Sequence, residues 1–220
     1  MSNQLRLLFE KIIIIMVIEM ANLNFIYGTM ESGKTTKLLQ DNYNYQRHGH
    51  NVIIIKPKID TKGGSSVITR NKESEKADIL LDKSETILSK DNLKLVLDAK
   101  VILVDEAQFF TQKQIFAFWQ IAHIFNITVI CYGLKNDFQG NLFEGTAALF
   151  SYADQKTELT VQCECGNIAI FNARCVGGQF TNSGDLVAID GEHNVSYIPL
   201  CSDCYLKKVI GKSNIDDIIE

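Results

Sequence analysis

The feature that most restricts this chain is the octet Gly28-Thr29-Met30-Glu31-Ser32-Gly33-Lys34-Thr35, which satisfies the spacing G-x-x-x-x-G-K-[ST]. Its context matters as much as its letters. Leu23-Asn24-Phe25-Ile26-Tyr27 reads as a short buried strand that stops at Gly28, and a helix pattern follows from Thr35 through Tyr45, ending near Gly49. A strand that turns through glycines into a helix aims successive main-chain N–H groups, and the positive end of the helix dipole, at one point. A phosphate suits that point: Lys34 can reach its β- and γ-oxygens, and the Thr35 hydroxyl can ligate magnesium.

The rest of the chain alternates in the same way. Val52-Ile53-Ile54-Ile55 is a β-branched run ended by Pro57, Val101-Ile102-Leu103-Val104 is a second buried strand, and Thr128 to Tyr132 is a third. Helical patterns fall over Leu93–Leu97, Gln114–Phe125 and Gly145–Tyr152. The polar stretch from Thr61 to Asn71, with Gly63-Gly64-Ser65-Ser66, is expected to be a mobile loop. Strands alternating with helices imply parallel crossovers, so the expected class is α/β: a P-loop (RecA-like), mostly parallel sheet flanked by helices. From about Leu159 the texture changes to cysteines, glycines and short extended pieces. The expected organisation is a P-loop α/β domain over 21–157, a smaller cysteine-bearing domain over 158–210, and a tail over 211–220. Residues 1–20 contain the apolar run Ile12–Ile18, shorter than the roughly 20 residues that cross a bilayer. An extension outside the fold and an extra edge strand both remain open for them. No membrane association is expected.

A net charge of −4 argues against a chain whose main task is coating nucleic acid, because such binding needs Lys and Arg to neutralise phosphates. It leaves room for a small polyanion in a locally positive pocket. Four of the six cysteines form two close pairs, Cys163/Cys165 and Cys201/Cys204. Without a convincing signal peptide, close pairing points to metal ligation in a reducing, cytoplasmic setting rather than to disulfides. Four soft thiolates make a closed tetrahedral site for structural zinc, with no position left for a reacting water. Cys131 and Cys175 are expected to be packing residues. Between the pairs lies a glycine-punctuated segment from Gly177 to Glu192, and a metal clip at its base lowers the entropy cost of holding it in one shape.

Asp105 follows the apolar strand 101–104, where an acidic residue would hold magnesium. If the strand's alternation continues, Glu106 points the other way and stands beside the transferring phosphate as a proton acceptor. Asp105-Glu106-Ala107-Gln108 also looks like a helicase element, but a helicase needs a second motor domain for which there is no room. The nucleophile is left open between water and a substrate hydroxyl. Three classes compete: a nucleoside kinase, a zinc-ribbon ATPase acting on nucleic acid, and a nucleotide-binding module without catalysis.

The order of motifs closes the choice. Gly28-x-Met30-x-Ser32-Gly33-Lys34-Thr35, Asp105-Glu106-Ala107-Gln108-Phe109-Phe110, Tyr132-Gly133-Leu134-x-x-Asp137-Phe138-Gln139-Gly140 and the two cysteine pairs together resemble type II thymidine kinases from about Leu23 to Cys204. The resemblance implies transfer of the ATP γ-phosphate to the 5′-hydroxyl of thymidine, with deoxyuridine accepted, in nucleotide salvage. It implies Glu106 as the base, and Met30, Phe109, Leu134, Phe138, Phe143 and Tyr197 as contacts of the nucleoside. It also implies Mg2+ with ATP, structural Zn2+ and a lasso-like substrate loop in the domain over 158–210, feedback inhibition by dTTP and a homotetramer. Four departures bear on substrate breadth: C-x-C where the family has C-x-x-C, Lys62 in an Asp-x-Arg position, Asn172 where a threonine is common, and a longer lasso between Gly191 and Tyr197.

Overall fold

The computed structural model describes residues 21–61, 63–184 and 194–211. The amino-terminal segment, Lys62, the part of the lasso-like stretch over 185–193 and the tail from 212 lie outside the described residues. The scaffold is a six-stranded sheet built from β1 (Leu23–Gly28), β2 (Val52–Pro57), β5 (Ile79–Leu81), β6 (Val101–Val104), β7 (Thr128–Leu134) and β8 (Gln155–Leu159). The order is β5-β2-β6-β7-β1-β8, and every pairing in it is parallel. The helices α1 (Lys34–Arg47), α2 (Lys90–Asp98), α3 (Gln112–Phe125) and α4 (Glu144–Tyr152) make the crossovers. The expected P-loop α/β architecture is what forms.

Period-two alternation explains why the central strands are apolar throughout. Leu23, Phe25, Ile53, Ile55, Ile102, Val104, Val129 and Cys131 project into one core with residues of α3 and α4. Their neighbours Val52, Ile54, Val101, Leu103, Ile130 and Tyr132 project into a second core that includes Leu38 of α1. The helix ends have local causes. Ser89 Oγ accepts from Asn92 N–H at the start of α2, and Thr111 and Gln114 form a reciprocal capping box on α3.

The stretch expected as a loop from Thr61 to Asn71 contributes a strand instead. β3 (Ser66–Ile68) pairs antiparallel with β4 (Ser74–Lys76), closed by a turn in which Thr69 and Glu73 bond each other. Val67 is buried and carries this hairpin onto the second core, an anchor too small to show as periodicity.

The carboxy-terminal part is a separate sheet in the order β10-β9-β11, formed by β9 (Phe171–Val176), β10 (Gln179–Thr181) and β11 (Val195–Leu200), and followed by a short helix α5 (Ser202–Tyr205). Several hydrogen bonds fix it to the larger sheet, among them two buried ones to the loop that follows β7. Tyr205 Oη donates to Phe138 O at 2.6 Å, and Asn172 Nδ2 donates to Asn136 O at 3.1 Å.

Candidate active site

Because the sheet is parallel, the ends of β1, β2, β6 and β7 open on one edge, the usual place for a ligand in such a fold. The phosphate loop leaves β1 there. Gly28 has no room for a side chain, since a Cβ would stand 2.3 Å from Leu159 O and 2.6 Å from Ser32 Oγ. Gly33 takes the left-handed conformation at φ 81° and starts α1 with no side-chain cap and no acidic residue in the first turn. The first N–H groups of α1 are therefore left for a ligand anion. Thr29 Oγ1 is buried inside the loop with no hydrogen-bond partner among the described residues. Lys34 Nζ folds back along the loop, donating to Thr29 O at 2.6 Å and to Ser32 Oγ at 3.3 Å. The side chain is half-buried. Burial lowers its ammonium group to about 8, against the opposing pull of Glu106 and Asp105.

Asp105 is buried at the end of β6, its N–H bonded to Ile55 O of β2 at 2.9 Å. Burial, and then the neighbouring Glu106, push its carboxyl well above the usual carboxylate range. A buried carboxyl such as that of Asp105 and a hydroxyl such as that of Thr35 are hard oxygen donors of the kind that suits magnesium.

Glu106 reaches the cleft by a route that differs from the alternation expected for it. The strand ends at Val104, and Glu106 adopts φ 47° and ψ 44° before a 3₁₀ turn over Ala107–Phe109. A left-handed turn, not a continued pleat, sets its direction. For a residue with a Cβ that conformation costs about 1–2 kcal/mol, which the surrounding packing must offset.

Lys34, Thr35 and Glu106 line one cleft of about 310 Å³, with Met30, Phe109 and Leu134 as its apolar wall. Phe143 packs edge-on to Phe109 with ring centroids 5.8 Å apart, behind that wall. Phe138 and Tyr197 are buried together with Val195 against Met30, so they back the wall rather than line the cleft. The hairpin β3–β4 closes the other side, where Arg70 Nη1 meets Glu31 Oε1 at 2.6 Å.

Three features lay outside what motif reading assigned. Lys56, almost fully buried, pairs with Asp60 at 3.0 Å and donates to Gly64 O and Ser66 O, tying the cleft-lining Asp60 to the hairpin. Asn172 Oδ1 accepts from Met30 N–H at 2.7 Å, joining β9 to the phosphate loop. Gln108 donates to Glu106. The quoted motifs contain Gln108 and Met30, but only tertiary contact reveals these roles.

The four cysteines of the two pairs converge, their sulfurs all within 4.8 Å of one another. A tetrahedral zinc with Zn–S of about 2.3 Å places sulfurs about 3.8 Å apart, so the spacing fits. The short C-x-C spacing works because Cys163 and Cys165 sit on a tight turn, with Gly166 N–H bonded to Cys163 O and Gly166 at φ 89°. Cys201 caps α5 and Cys204 lies on its single turn. Although burial opposes it, N–H groups of Cys165 and Cys201 lower the Cys163 thiol to about 7. Cys204 is pushed the other way, to about 12, first by Cys165 beside it. Four adjacent thiolates need a cation to coexist.

A phosphate loop on a parallel sheet, with a buried aspartate at the end of β6, one strand beyond the neighbour of β1, and a second acid next to it in the chain, defines the P-loop nucleotide-binding proteins. A family model described as thymidine kinase matches residues 21–205. A thymidine kinase of Rhodopirellula baltica is 39% identical over 83% of this chain and 86% of its own length. One of Haemophilus influenzae is 38% identical over 86% and 98%. The chain belongs to the thymidine kinase family. A solved Bacteroides Pif1 bound to single-stranded DNA aligns with a TM-score of 0.40 at 18% identity, over 69% of this chain and 42% of that one, a likeness too slight to bear on function.

Proposed function

We propose that this chain transfers the γ-phosphate of ATP to the 5′-hydroxyl of thymidine, and of deoxyuridine, in nucleotide salvage. The observation that carries the reading is the single cleft in which Lys34 and Glu106 face an apolar wall of Met30, Phe109 and Leu134. A flat pyrimidine is suited to such a wall, with Phe138, Phe143 and Tyr197 supporting it from behind. The main-chain amides of Gly28–Thr35 and the Lys34 ammonium hold the triphosphate. Asp105 and Thr35 would hold magnesium, which when bound neutralises charge on the phosphate oxygens.

Glu106 accepts the 5′-hydroxyl proton as the sugar oxygen bonds to the γ-phosphorus and the bond from that phosphorus to the departing ADP oxygen breaks. Glu106 works here because it is held over the cleft while Asp105, one residue earlier, stays in the wall of the sheet. Binding of ATP is assigned to 21–157, and completion of the nucleoside site to 158–210, clipped by zinc on Cys163, Cys165, Cys201 and Cys204. Inhibition by dTTP is what the family resemblance implies, and an apolar wall beside a phosphate loop is in keeping with it. A homotetramer is the family's expected assembly, to be read by light scattering.

The test is a panel of deoxynucleosides with ATP and magnesium, scored for labelled monophosphate. Thymidine and deoxyuridine are expected to give product and purine deoxynucleosides little. ATP hydrolysis stimulated by DNA, with no nucleoside phosphorylated, would overturn the reading.

A further inference from the structure

Glu106 occupies a backbone conformation that disfavours it and stands at the end of a strand, so something must hold its carboxylate over the cleft. Gln108 is placed to do so. It is buried, and its two amide atoms are both engaged. Oε1 accepts from Leu134 N–H at 2.9 Å, and Nε2 donates to Glu106 Oε2 at 2.5 Å. A main-chain N–H can only donate and an ionised carboxylate can only accept, so the amide has one orientation that satisfies both neighbours.

The neighbourhood is shaped to this side chain. Gly133 lies against it, and a Cβ there would stand 2.9 Å from Gln108 Oε1 and 3.1 Å from Gln108 N. The end of β7 thus approaches the turn closely enough for Leu134 N–H to reach the amide.

From this geometry we infer that Gln108 is a positioning residue for phosphoryl transfer, a strut between the end of β7 and the carboxylate of Glu106. It occupies Oε2 and leaves Oε1 as the oxygen that meets the sugar hydroxyl. Because Leu134 also forms part of the apolar wall, the strut ties the height of the base to the surface on which the pyrimidine lies. The inference rests on Glu106 being the base, and the experiment separates the two ideas.

The experiment is a double-mutant cycle on the full chain, comparing Glu106→Gln, Gln108→Met, Gln108→Glu and Glu106→Gln/Gln108→Met. It measures kcat, KM for thymidine and binding of ATP. Gln108→Met removes both hydrogen bonds. Gln108→Glu keeps an acceptor for Leu134 N–H but sets a second carboxyl against Glu106, so the neutral donor is replaced by a group that shares one proton with Glu106 and competes with it as base. Both are expected to lower kcat about 10- to 100-fold, the scale of a misplaced catalytic group, with KM for thymidine and ATP binding within about threefold of the parent. In the double variant the loss is expected to equal that of Glu106→Gln alone, because a strut has no effect once its load is gone. Multiplicative losses in the double variant, or full activity in Gln108→Glu, would overturn the positioning role. A parent-like rate in Glu106→Gln would instead remove the base itself, whatever Gln108 does.

Discussion

The six-stranded sheet and the cysteine-bearing sheet solve the problem of staying folded in different ways. The first buries two apolar layers of strand residues, with large side chains such as Phe25, Phe118 and Tyr132 at their centres. The second has a core whose buried members are Cys163, Ala169, Ala173, Leu200, Cys201 and Tyr205, mostly small. Fewer large side chains are fully buried there, and a metal on the four thiols would add what packing does not. On the proposed function, the phosphate site thus stands on a framework stabilised by burial, whereas the nucleoside site would be completed by a unit that a metal on the four thiols clips together.

That contrast can be broken most severely at the clip. Replacing Cys201 with Ser, or stripping metal with a chelator, is expected to abolish nucleoside phosphorylation and bound zinc while ATP binding survives. Metal analysis and a nucleotide-binding titration on the same sample check it. If ATP binding disappears together with the metal, the two sheets do not stand independently. Acidification should act in the same direction, because protons compete with the metal for the four thiolates, so zinc retention should decline as the pH falls and recover as it is raised again.

A smaller effect is expected from Gly145→Ala, which perturbs the well-packed half alone. A Cβ at Gly145 would stand 2.5 Å from Ala107 O and 2.7 Å from Phe110 O, and these are backbone atoms that cannot swing aside. The turn carrying Glu106 must shift, with a loss of kcat on the order of 100-fold while zinc content is unchanged. Parent kcat in this variant would show that the turn tolerates displacement.

The mildest perturbation lies at the seam. Asn172→Ala leaves Met30 N–H without its partner and should remove about 1–3 kcal/mol of stability, measured by denaturant unfolding. Asn172→Thr, restoring the residue more common in the family, should recover part of it. No change in either variant would mean that the seam contributes nothing to holding the two sheets together.

What could be read from the residues follows the same division. The apolar runs at 52–55 and 101–104, the glycines of the phosphate loop and the cysteine pairs are local signals with local causes, and they were sufficient for the parallel sheet and the convergence of four thiols. The hairpin β3–β4 was not legible, since Ser74–Lys76 is wholly exposed and Val67 is the main anchor. The left-handed Glu106 was missed because pleat alternation assumes that a strand continues, and here it had ended. The link from Asn172 to Met30 spans 142 positions in sequence, and the buried Lys56–Asp60 pair depends on carbonyls of a hairpin that local propensity does not foresee. These are tertiary hydrogen bonds between polar residues, which periodicity does not register.

The central claim is that one carboxylate above the phosphate loop takes the proton from the sugar alcohol. Single-turnover transfer from labelled ATP to thymidine by Glu106→Gln tests it most directly, with ATP affinity measured alongside. The account predicts nearly unchanged ATP binding and transfer slowed by roughly 100-fold or more. Transfer at the parent rate with ATP bound as before would contradict it.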